Sequence, residues 1–281
     1  MEERDLKFLR LYSNFFNRSY LFDFINKKNN KIKNILLASA DNTSIFNSYL
    51  SCSYLDIFEY TYSMLCAYYK CEYVYLNTFF INEILKNHDN NHTVLTELYV
   101  NDSQADLVVI NGTTTVYEIK TELDTLFRLT KQLEDYTRTF DKVYVITNKF
   151  YLKQVRNVLK EKFGSVGIYL LDEKGQLKKI RESKSHKSKL DKEVMFNVLN
   201  RKEFEKIDED YYKAKAKFLK MSIKSAHEFY KNALFNRAKD MNYIMNFPDS
   251  LKLAIYKIQN KLTQEGRRVL LEKIRTNIIE E

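Results

Sequence analysis

Two short apolar stretches near the middle of the chain show the pattern of a β-hairpin. Residues 105–110 and 115–120 are rich in β-branched and apolar side chains, which is typical of strands. The Asn-Gly pair between them is a strong signal for a tight turn. Because side chains alternate along a strand, Glu118 and Lys120 are predicted to lie on the same face of the second strand.

The charged residues of this hairpin suggest a chemistry. Asp106 lies near the start of the first strand, which pairs with the end of the second, so the hairpin is predicted to bring Asp106, Glu118 and Lys120 together. Two carboxylates can hold Mg²⁺ and leave positions for a phosphate oxygen and a water. The metal lowers the pKa of that water, and a lysine can orient it or stabilise the transition state. The three residues therefore suit hydrolysis of a phosphodiester.

The surrounding pattern predicts an α/β core over residues 76–182. The order is helix, three strands, helix, strand, helix, strand, and residues 142–147 form an apolar run that is typical of a buried central strand. Within the predicted helix of residues 124–140, a leucine-rich stripe ending at Phe140 faces the core. The expected fold is therefore mixed α/β.

Helical regions are predicted on both sides of this core. Residues 1–75 are rich in Tyr, Phe and Leu at helical spacing, and they form either a small recognition domain or a helical cap. A polar segment near residue 182 predicts a linker, and residues 183–281 form a further helical region. The predicted organisation therefore has three parts, and the role of the first stays open.

Composition favours a globular cytoplasmic protein. Of the 281 residues, 44% are hydrophobic and 30% are charged, which is typical of a folded chain. The N-terminus lacks the pattern of a signal peptide, and Lys70 and Glu72 interrupt the most apolar stretch, which argues against a membrane span. Three cysteines without metal-ligand spacing predict reduced thiols.

Positive charge is concentrated in the last third of the chain. Residues 1–180 hold 23 Lys+Arg and 22 Asp+Glu, a net charge of +1, whereas residues 181–281 hold 23 and 15, a net charge of +8. Such asymmetry suggests a region that binds a polyanion. Four lysines are predicted to share a helix face and contact nucleic-acid phosphates: Lys213, Lys217, Lys220 and Lys224. A merely solvated helix face is an equally good interpretation.

The hairpin residues resemble a known signature. Asp106 followed by Glu118-Ile119-Lys120 resembles the D…(D/E)-x-K motif of the PD-(D/E)XK, restriction-endonuclease-like, nuclease superfamily, with Ala105 in place of the proline that often precedes the aspartate. Downstream, Gln132 and Tyr136 resemble the Gln-x-x-x-Tyr motif of RecB-type nuclease domains. The resemblance covers about residues 75–182. Within the superfamily, the chain resembles an uncharacterised family of stand-alone bacterial and phage nuclease-like proteins.

This resemblance implies a fold and a set of site residues. The fold would be a restriction-endonuclease-like αβββαβ core with a mixed central sheet. A Mg²⁺ or Mn²⁺ ion would be held by Asp106, Glu118 and the Ile119 carbonyl, with Glu83 or Glu97 contributing through water. Lys120 and Gln132 would join the carboxylates in catalysis, and Tyr136 would contact the nucleic acid, which is DNA by this interpretation.

Two classes of function remain open from the sequence. The first is a metal-dependent nuclease that acts on DNA, with phage defence or mobile-element biology consistent with the resemblance; RNA is an alternative substrate. The second is a catalytically silent module of the same fold that binds nucleic acid or a protein. The full set of Asp106, Glu118 and Lys120 favours the nuclease, because a decayed nuclease usually loses a ligand.

Overall fold

The computed structural model describes residues 3–26, 31–40, 52–86, 92–172, 175–237, 239 and 241–276. The chain divides into two compact units. One, here called the helical unit, contains residues 1–83 and 239–281, and the other, the sheet unit, contains residues 84–238. The boundaries predicted near residues 75 and 182 do not coincide with this division, which joins the two ends of the chain in one unit.

The described residues form fourteen α-helices. They are α1 (Glu3–Tyr12), α2 (Arg18–Ile25), α3 (Lys31–Ala40), α4 (Tyr54–Tyr68), α5 (Glu72–Phe79), α6 (Leu129–Thr137), α7 (Leu152–Lys162), α8 (Lys192–Val198), α9 (Arg201–Phe204), α10 (Tyr211–Lys220), α11 (Ile223–Phe235), α12 (Met241–Ile244), α13 (Lys252–Ile258) and α14 (Gln264–Lys273). Short 3-10 segments lie at Ser13–Phe16, Leu126–Arg128, Lys187–Lys189 and Gln259–Lys261, and a π-helical segment lies at Phe80–Leu85. None of the helices in these described ranges is long and apolar enough to cross a membrane.

Aromatic side chains fill the core of the helical unit. Phe16 stacks on Tyr73 with ring centroids 4.5 Å apart, and Phe24 meets Tyr54 edge-on at 4.8 Å. Such pairs add about 0.5–1.5 kcal/mol beyond the burial of their area. The Lys273 ammonium of α14 donates to the Phe24 carbonyl at 2.6 Å, so α14 packs on α2. The helical character predicted for residues 1–75 is therefore observed over their described part.

A six-stranded mixed sheet organises the described residues of the sheet unit. Its strands follow chain order: β1 (Thr93–Val100), β2 (Ser103–Asn111), β3 (Thr113–Ile119), β4 (Lys142–Asn148), β5 (Gly167–Leu171) and β6 (Leu177–Arg181). β3, β4 and β5 are parallel, whereas the outer pairs are antiparallel. The mixed α/β fold is confirmed. The sequence pattern did not predict β6, because this edge strand exposes most of its residues and lacks an apolar run.

The predicted hairpin is present in β2 and β3. Gly112 sits at its tip with φ +64°, a conformation that glycine adopts without steric cost. On one face of the sheet, Leu129, Leu133 and Phe140 are fully buried in the core, as the leucine-rich stripe predicts. The helix α6 that carries two of them connects β3 to β4, as a parallel crossover requires.

Helices beyond the sheet complete this core. Met195 of α8, Phe218 of α10 and Tyr230 of α11 belong to the same apolar cluster as Val116 of β3 and Val145 of β4. Their burial explains why the sheet unit extends to residue 238 instead of ending at the predicted linker. The first half of the basic C-terminal region is therefore an integral part of the sheet unit.

Candidate active site

At the end opposite its Asn-Gly turn, the hairpin opens into a fork, which is the place beyond the pair Leu107–Tyr117 where β2 and β3 no longer pair. The β2–β3 ladder stops at the pair Leu107–Tyr117, although both strands continue beyond it. The next pair in register would be Asp106 and Glu118. Instead, the Asp106 carboxylate accepts a hydrogen bond from the Ile119 N–H at 2.7 Å. A side chain therefore occupies the place where the backbone ladder ends.

A third carboxylate belongs to the same row of the sheet. On β1, Thr96 pairs with Leu107 and Leu98 with Ala105, so Glu97 lies opposite Asp106 in register. Glu97 has φ +57°, a left-handed conformation that costs a residue other than glycine about 1–2 kcal/mol. Backbone strain of this kind is concentrated at functional sites. Acidic residues thus occupy one row across three adjacent strands.

Glu118 is a buried carboxylate that accepts several hydrogen bonds. It is 1% exposed, and three donors hold it. Lys120 Nζ and Gln132 Nε2 each lie 2.6 Å from its Oε1, and the Tyr136 hydroxyl donates to its Oε2 at 2.9 Å. Gln132 and Tyr136 reach the same carboxylate because residues four apart share a helix face.

A buried aspartate fixes α6 against the sheet. Asp135 accepts hydrogen bonds from Ser103 at 2.6 Å and from Asn101 and Lys131, both at 3.0 Å. Burial alone would raise the pKa of Asp135, but these hydrogen bonds lower it below its usual value. The link to the β1–β2 turn sets the position of α6, and therefore that of Gln132 and Tyr136.

Lys120 stays a cation in this environment. Burial alone would lower the pKa of its ammonium, but the charges of Glu118, Asp106 and Asp124 raise it above the ordinary value. Burial, with the charges of Glu118 and Asp106, also raises the pKa of Tyr136. The site therefore presents a positive group beside its carboxylates, and a phenol that remains a hydrogen-bond donor.

The donor set fits a hard cation. Mg²⁺ is commonly held by one or two carboxylates and completes its coordination with water and substrate phosphate. Asp106 and Glu118 supply two carboxylates, and Gln132 Oε1 beside them is buried with no hydrogen-bond partner among the residues that the structure describes. A metal-bound water would satisfy that orphaned acceptor. Among the described residues, no group of three or more His, Cys, Asp or Glu is arranged to hold a metal ion.

The structure brings most of the predicted site residues together. Asp106, Glu118, Lys120, Gln132 and Tyr136 converge at the fork, and Ile119 joins them through its N–H. Glu97 occupies the row beside Asp106. Glu83 lies on the π-helical segment as the last residue of the helical unit before residue 84, so its predicted contribution to a metal site stays a prediction.

The predicted lysine face is divided between two helices. Lys213, Lys217 and Lys220 belong to α10, whereas Lys224 belongs to α11, so the four do not share one helix face. The break occurs because the Ser222 hydroxyl accepts from the Ser225 N–H and begins a new helix. All four lysines are exposed, and Lys217 forms an ion pair with Asp208 at 2.7 Å.

Residues outside the motif also shape the site. Asp124, whose charge helps to raise the pKa of Lys120, accepts a hydrogen bond from the Thr121 N–H at 2.8 Å and thereby fixes the turn after β3. The Asn148 side chain donates to Glu122 in the same turn. The spacing Thr-x-x-Asp directly after Lys120 is the sequence signal that could have identified this turn.

Replacing Tyr136 with phenylalanine tests how much its hydrogen bond to Glu118 stabilises the fold. The change removes a donor from a buried carboxylate, and we expect the free energy of unfolding to fall by about 1.5–3 kcal/mol. Tyr230 is the matched control, because its buried hydroxyl has no hydrogen-bond partner among the described residues, so Tyr230→Phe should be close to neutral. Urea unfolding of both variants measures the difference. Equal losses would show that the Tyr136–Glu118 hydrogen bond adds nothing to stability.

The comparisons with known proteins identify a family. A family model described as bacteriophage P4 protein cII matches residues 70–247, which includes every described strand and the residues of the fork. No curated protein and no solved structure matched the chain. Because the family match spans well over half of the 281 residues, the chain belongs to the bacteriophage P4 protein cII family.

Proposed function

We propose that this protein is a metal-dependent nuclease that hydrolyses phosphodiester bonds of DNA. One observation carries the proposal. Asp106 and Glu118 occupy one register position on adjacent strands at an open fork, and the Lys120 ammonium is bound to Glu118. Two carboxylates and a cation in this arrangement suit a metal ion and a phosphate group.

The order of elements supports a restriction-endonuclease-like core. The three strands β1–β3 are followed by α6 and β4, which pairs parallel to β3, and α7 and β5 form an additional α/β unit. This βββαβ order supports the later part of the αβββαβ order that the resemblance implies, whereas α5, which precedes β1 in the chain, belongs to the helical unit. The motif residues occur where that fold would place them, on β2, at the end of β3 and on the following helix.

The chain's own residues have distinct tasks in this proposal. Asp106 and Glu118 would hold Mg²⁺ or Mn²⁺, which supplies an activated water and neutralises charge on the phosphate. Lys120 is held as an ammonium and would stabilise the negative charge that develops on the phosphate. Tyr136 orients Glu118, and Gln132 holds the same carboxylate while offering its oxygen to a bound water. Membership in a phage protein family agrees with a role in phage or mobile-element biology.

The engagement of Glu118 supports a second candidate. Three donors already hold its carboxylate, and Lys120 is only 7% exposed. A site in this state would stabilise the sheet without catalysis, and the protein would then be a silent module that binds nucleic acid. The two candidates differ in whether the fork binds a divalent cation and hydrolyses a phosphodiester.

A cleavage assay separates these candidates. Purified protein would be incubated with linear duplex, circular and single-stranded DNA and with RNA, each with Mg²⁺, Mn²⁺ or EDTA. Cleavage of DNA that requires the metal and is absent from an Asp106→Asn preparation supports the nuclease. Cleavage of RNA alone would change the substrate class. Binding of nucleic acid without cleavage under every condition would support the second candidate, the silent binding module.

The exposed lysines of α10 and α11 are expected to contribute to binding through phosphates. Replacing all four (Lys213, Lys217, Lys220 and Lys224) with glutamine should weaken DNA binding at low salt. Each phosphate contact that is lost should lower the slope of log affinity against log salt by about 0.9 for duplex DNA. Sequence preference should not change, because backbone contacts position the protein without reading bases.

Fluorescence anisotropy across a salt series measures this effect. Lys160 and Lys178, two exposed lysines elsewhere in the sheet unit, provide a control pair for the general loss of positive charge. An unchanged slope in the quadruple variant would show that the lysines of α10 and α11 form a solvated surface only.

A further inference from the structure

Two loops leave the sheet directly beside Lys120. One follows β3 and covers residues 121–128, and the other follows β4 and covers residues 149–151. Because β3 and β4 are parallel, their carboxyl ends meet at one edge of the sheet, and the Lys120 N–H donates to the Ile146 carbonyl there at 2.9 Å. The crevice outside these ends is where open α/β sheets bind their ligands.

Hydrogen bonds join the two loops into one ordered surface. The Tyr151 hydroxyl donates to the Asp124 carbonyl at 2.7 Å, and the Asn148 side chain donates to the Glu122 carboxylate. Asn148 also accepts from the Tyr151 N–H at 2.8 Å, which fixes the turn after β4. The Glu122 carboxylate therefore helps to join the two loops, and the Asp124 carboxylate is bound within its own turn by Thr121.

Large aromatic side chains project from this surface. Phe127 is 92% exposed and Phe150 is 73% exposed, while their neighbours Leu126 and Tyr151 pack against the core of the sheet unit. The loops are therefore packed on the core, whereas the rings of Phe127 and Phe150 are exposed to solvent. Exposed large apolar side chains beside a polar site are characteristic of ligand-binding surfaces.

Each exposed ring is adjacent to an exposed cation. Phe127 is followed by Arg128, and Phe150 is preceded by Lys149. Aromatic faces that alternate with positive charges match a single strand of nucleic acid, because its unpaired bases stack on rings while its phosphates are neutralised. The bases of an intact duplex are stacked on each other, and their faces are not available to Phe127 and Phe150.

We propose that the surface formed by Phe127, Arg128, Lys149 and Phe150, here called the stacking rim, binds single-stranded DNA through base stacking beside Lys120. This inference rests on the nuclease proposed for the fork, and it names the substrate of that site as a single strand or the frayed end of a duplex. The rim holds unpaired bases, and the phosphate that follows them reaches the carboxylates.

Binding measured without metal tests the rim independently of cleavage. Fluorescence anisotropy in EDTA would compare a labelled single strand, the same strand with abasic sites, and a blunt duplex. Wild type should bind the single strand at least about tenfold more tightly than the abasic strand, since each base stacked on an aromatic ring contributes about that much or more. The variant Phe127→Ala/Phe150→Ala should bind the intact strand at least about tenfold more weakly than wild type, and it should no longer distinguish the two strands.

Two further variants test whether ring stacking is the cause of binding to the single strand. Phe127→Leu/Phe150→Leu keeps apolar surface but removes the rings, and it should behave like the alanine variant if stacking is responsible. Tyr68→Ala, which removes an exposed ring from the helical unit, should bind as wild type does. Because both phenylalanines are in solvent, the variants should retain wild-type thermal unfolding.

The outcomes separate the rim from the nuclease. Equal wild-type binding to intact and abasic strands, or unchanged binding by the alanine variant, would overturn the stacking rim even if DNA is cleaved. Full retention of binding by the leucine variant would also overturn it, because general apolar contact with the bases would then hold the strand without ring stacking. Ring-dependent binding of the single strand without cleavage under any metal condition would support the rim and reject the nuclease.

Discussion

Exchanging Asp106 for asparagine is expected to abolish metal-dependent cleavage while leaving the fold intact. Asparagine keeps an oxygen that can accept from the Ile119 N–H, so the bridge across the fork is retained. It removes the negative charge that would hold the cation. A loss of about 4 kcal/mol of transition-state stabilisation corresponds to about a thousandfold lower cleavage rate.

Two other variants separate charge from structure at this position. Asp106→Ala leaves the Ile119 N–H without its acceptor, and we expect it to lower the free energy of unfolding by about 1–3 kcal/mol in addition to the loss of cleavage. Asp102→Asn removes an exposed carboxylate from the β1–β2 turn and should leave cleavage unchanged. Calorimetric titration with Mn²⁺ should show binding to wild type and to Asp102→Asn only. Wild-type cleavage or Mn²⁺ affinity in Asp106→Asn would remove Asp106 from the metal site.

Replacing Lys120 with methionine should lower both activity and stability. The sequence alone predicts that loss of this lysine affects cleavage while the fold is retained. The structure changes that expectation, because the ammonium forms a buried ion pair with Glu118 at 2.6 Å. Removing one member of a buried pair leaves an uncompensated charge and typically costs about 3–5 kcal/mol. We therefore expect urea unfolding of Lys120→Met at a markedly lower midpoint.

A double variant distinguishes the two effects. Adding Glu118→Gln to Lys120→Met removes both charges and leaves an amide whose oxygen can accept from Gln132 Nε2 and whose NH2 group can donate to the Tyr136 hydroxyl. Because neutral replacement of a whole buried pair is often harmless, most of the lost stability should return. Cleavage should not return, because a proposed metal ligand and the proposed cation are both absent. Recovery of cleavage together with stability would show that Lys120 and Glu118 act only as a structural pair.

Local sequence was sufficient for the elements that carry the candidate site. The Asn-Gly turn, the alternation that puts Glu118 and Lys120 on one face, and the helical spacing of Gln132 and Tyr136 each depend on residues close in the chain. These features follow from turn geometry and from side-chain periodicity, which neighbouring residues determine. The convergence of Asp106 with Glu118 was predictable because a tight hairpin fixes its own register.

Other features were decided by tertiary structure. The ladder between β2 and β3 opens at Asp106, and Glu97 takes a left-handed conformation, in a hairpin that β1 and β4 flank on either side. Likewise, the grouping of residues 239–281 with the N-terminal helices depends on burial between segments more than 150 residues apart.

The sequence by itself thus determined the mixed α/β class, the hairpin and the set of charged residues on it. Only the tertiary structure decided how buried Glu118 and Lys120 are, which donors hold them, and that Phe127 and Phe150 remain in solvent beside them. The physical reason is that periodicity and turns are local properties of a chain. Burial and hydrogen-bond partners instead depend on which distant segments pack together.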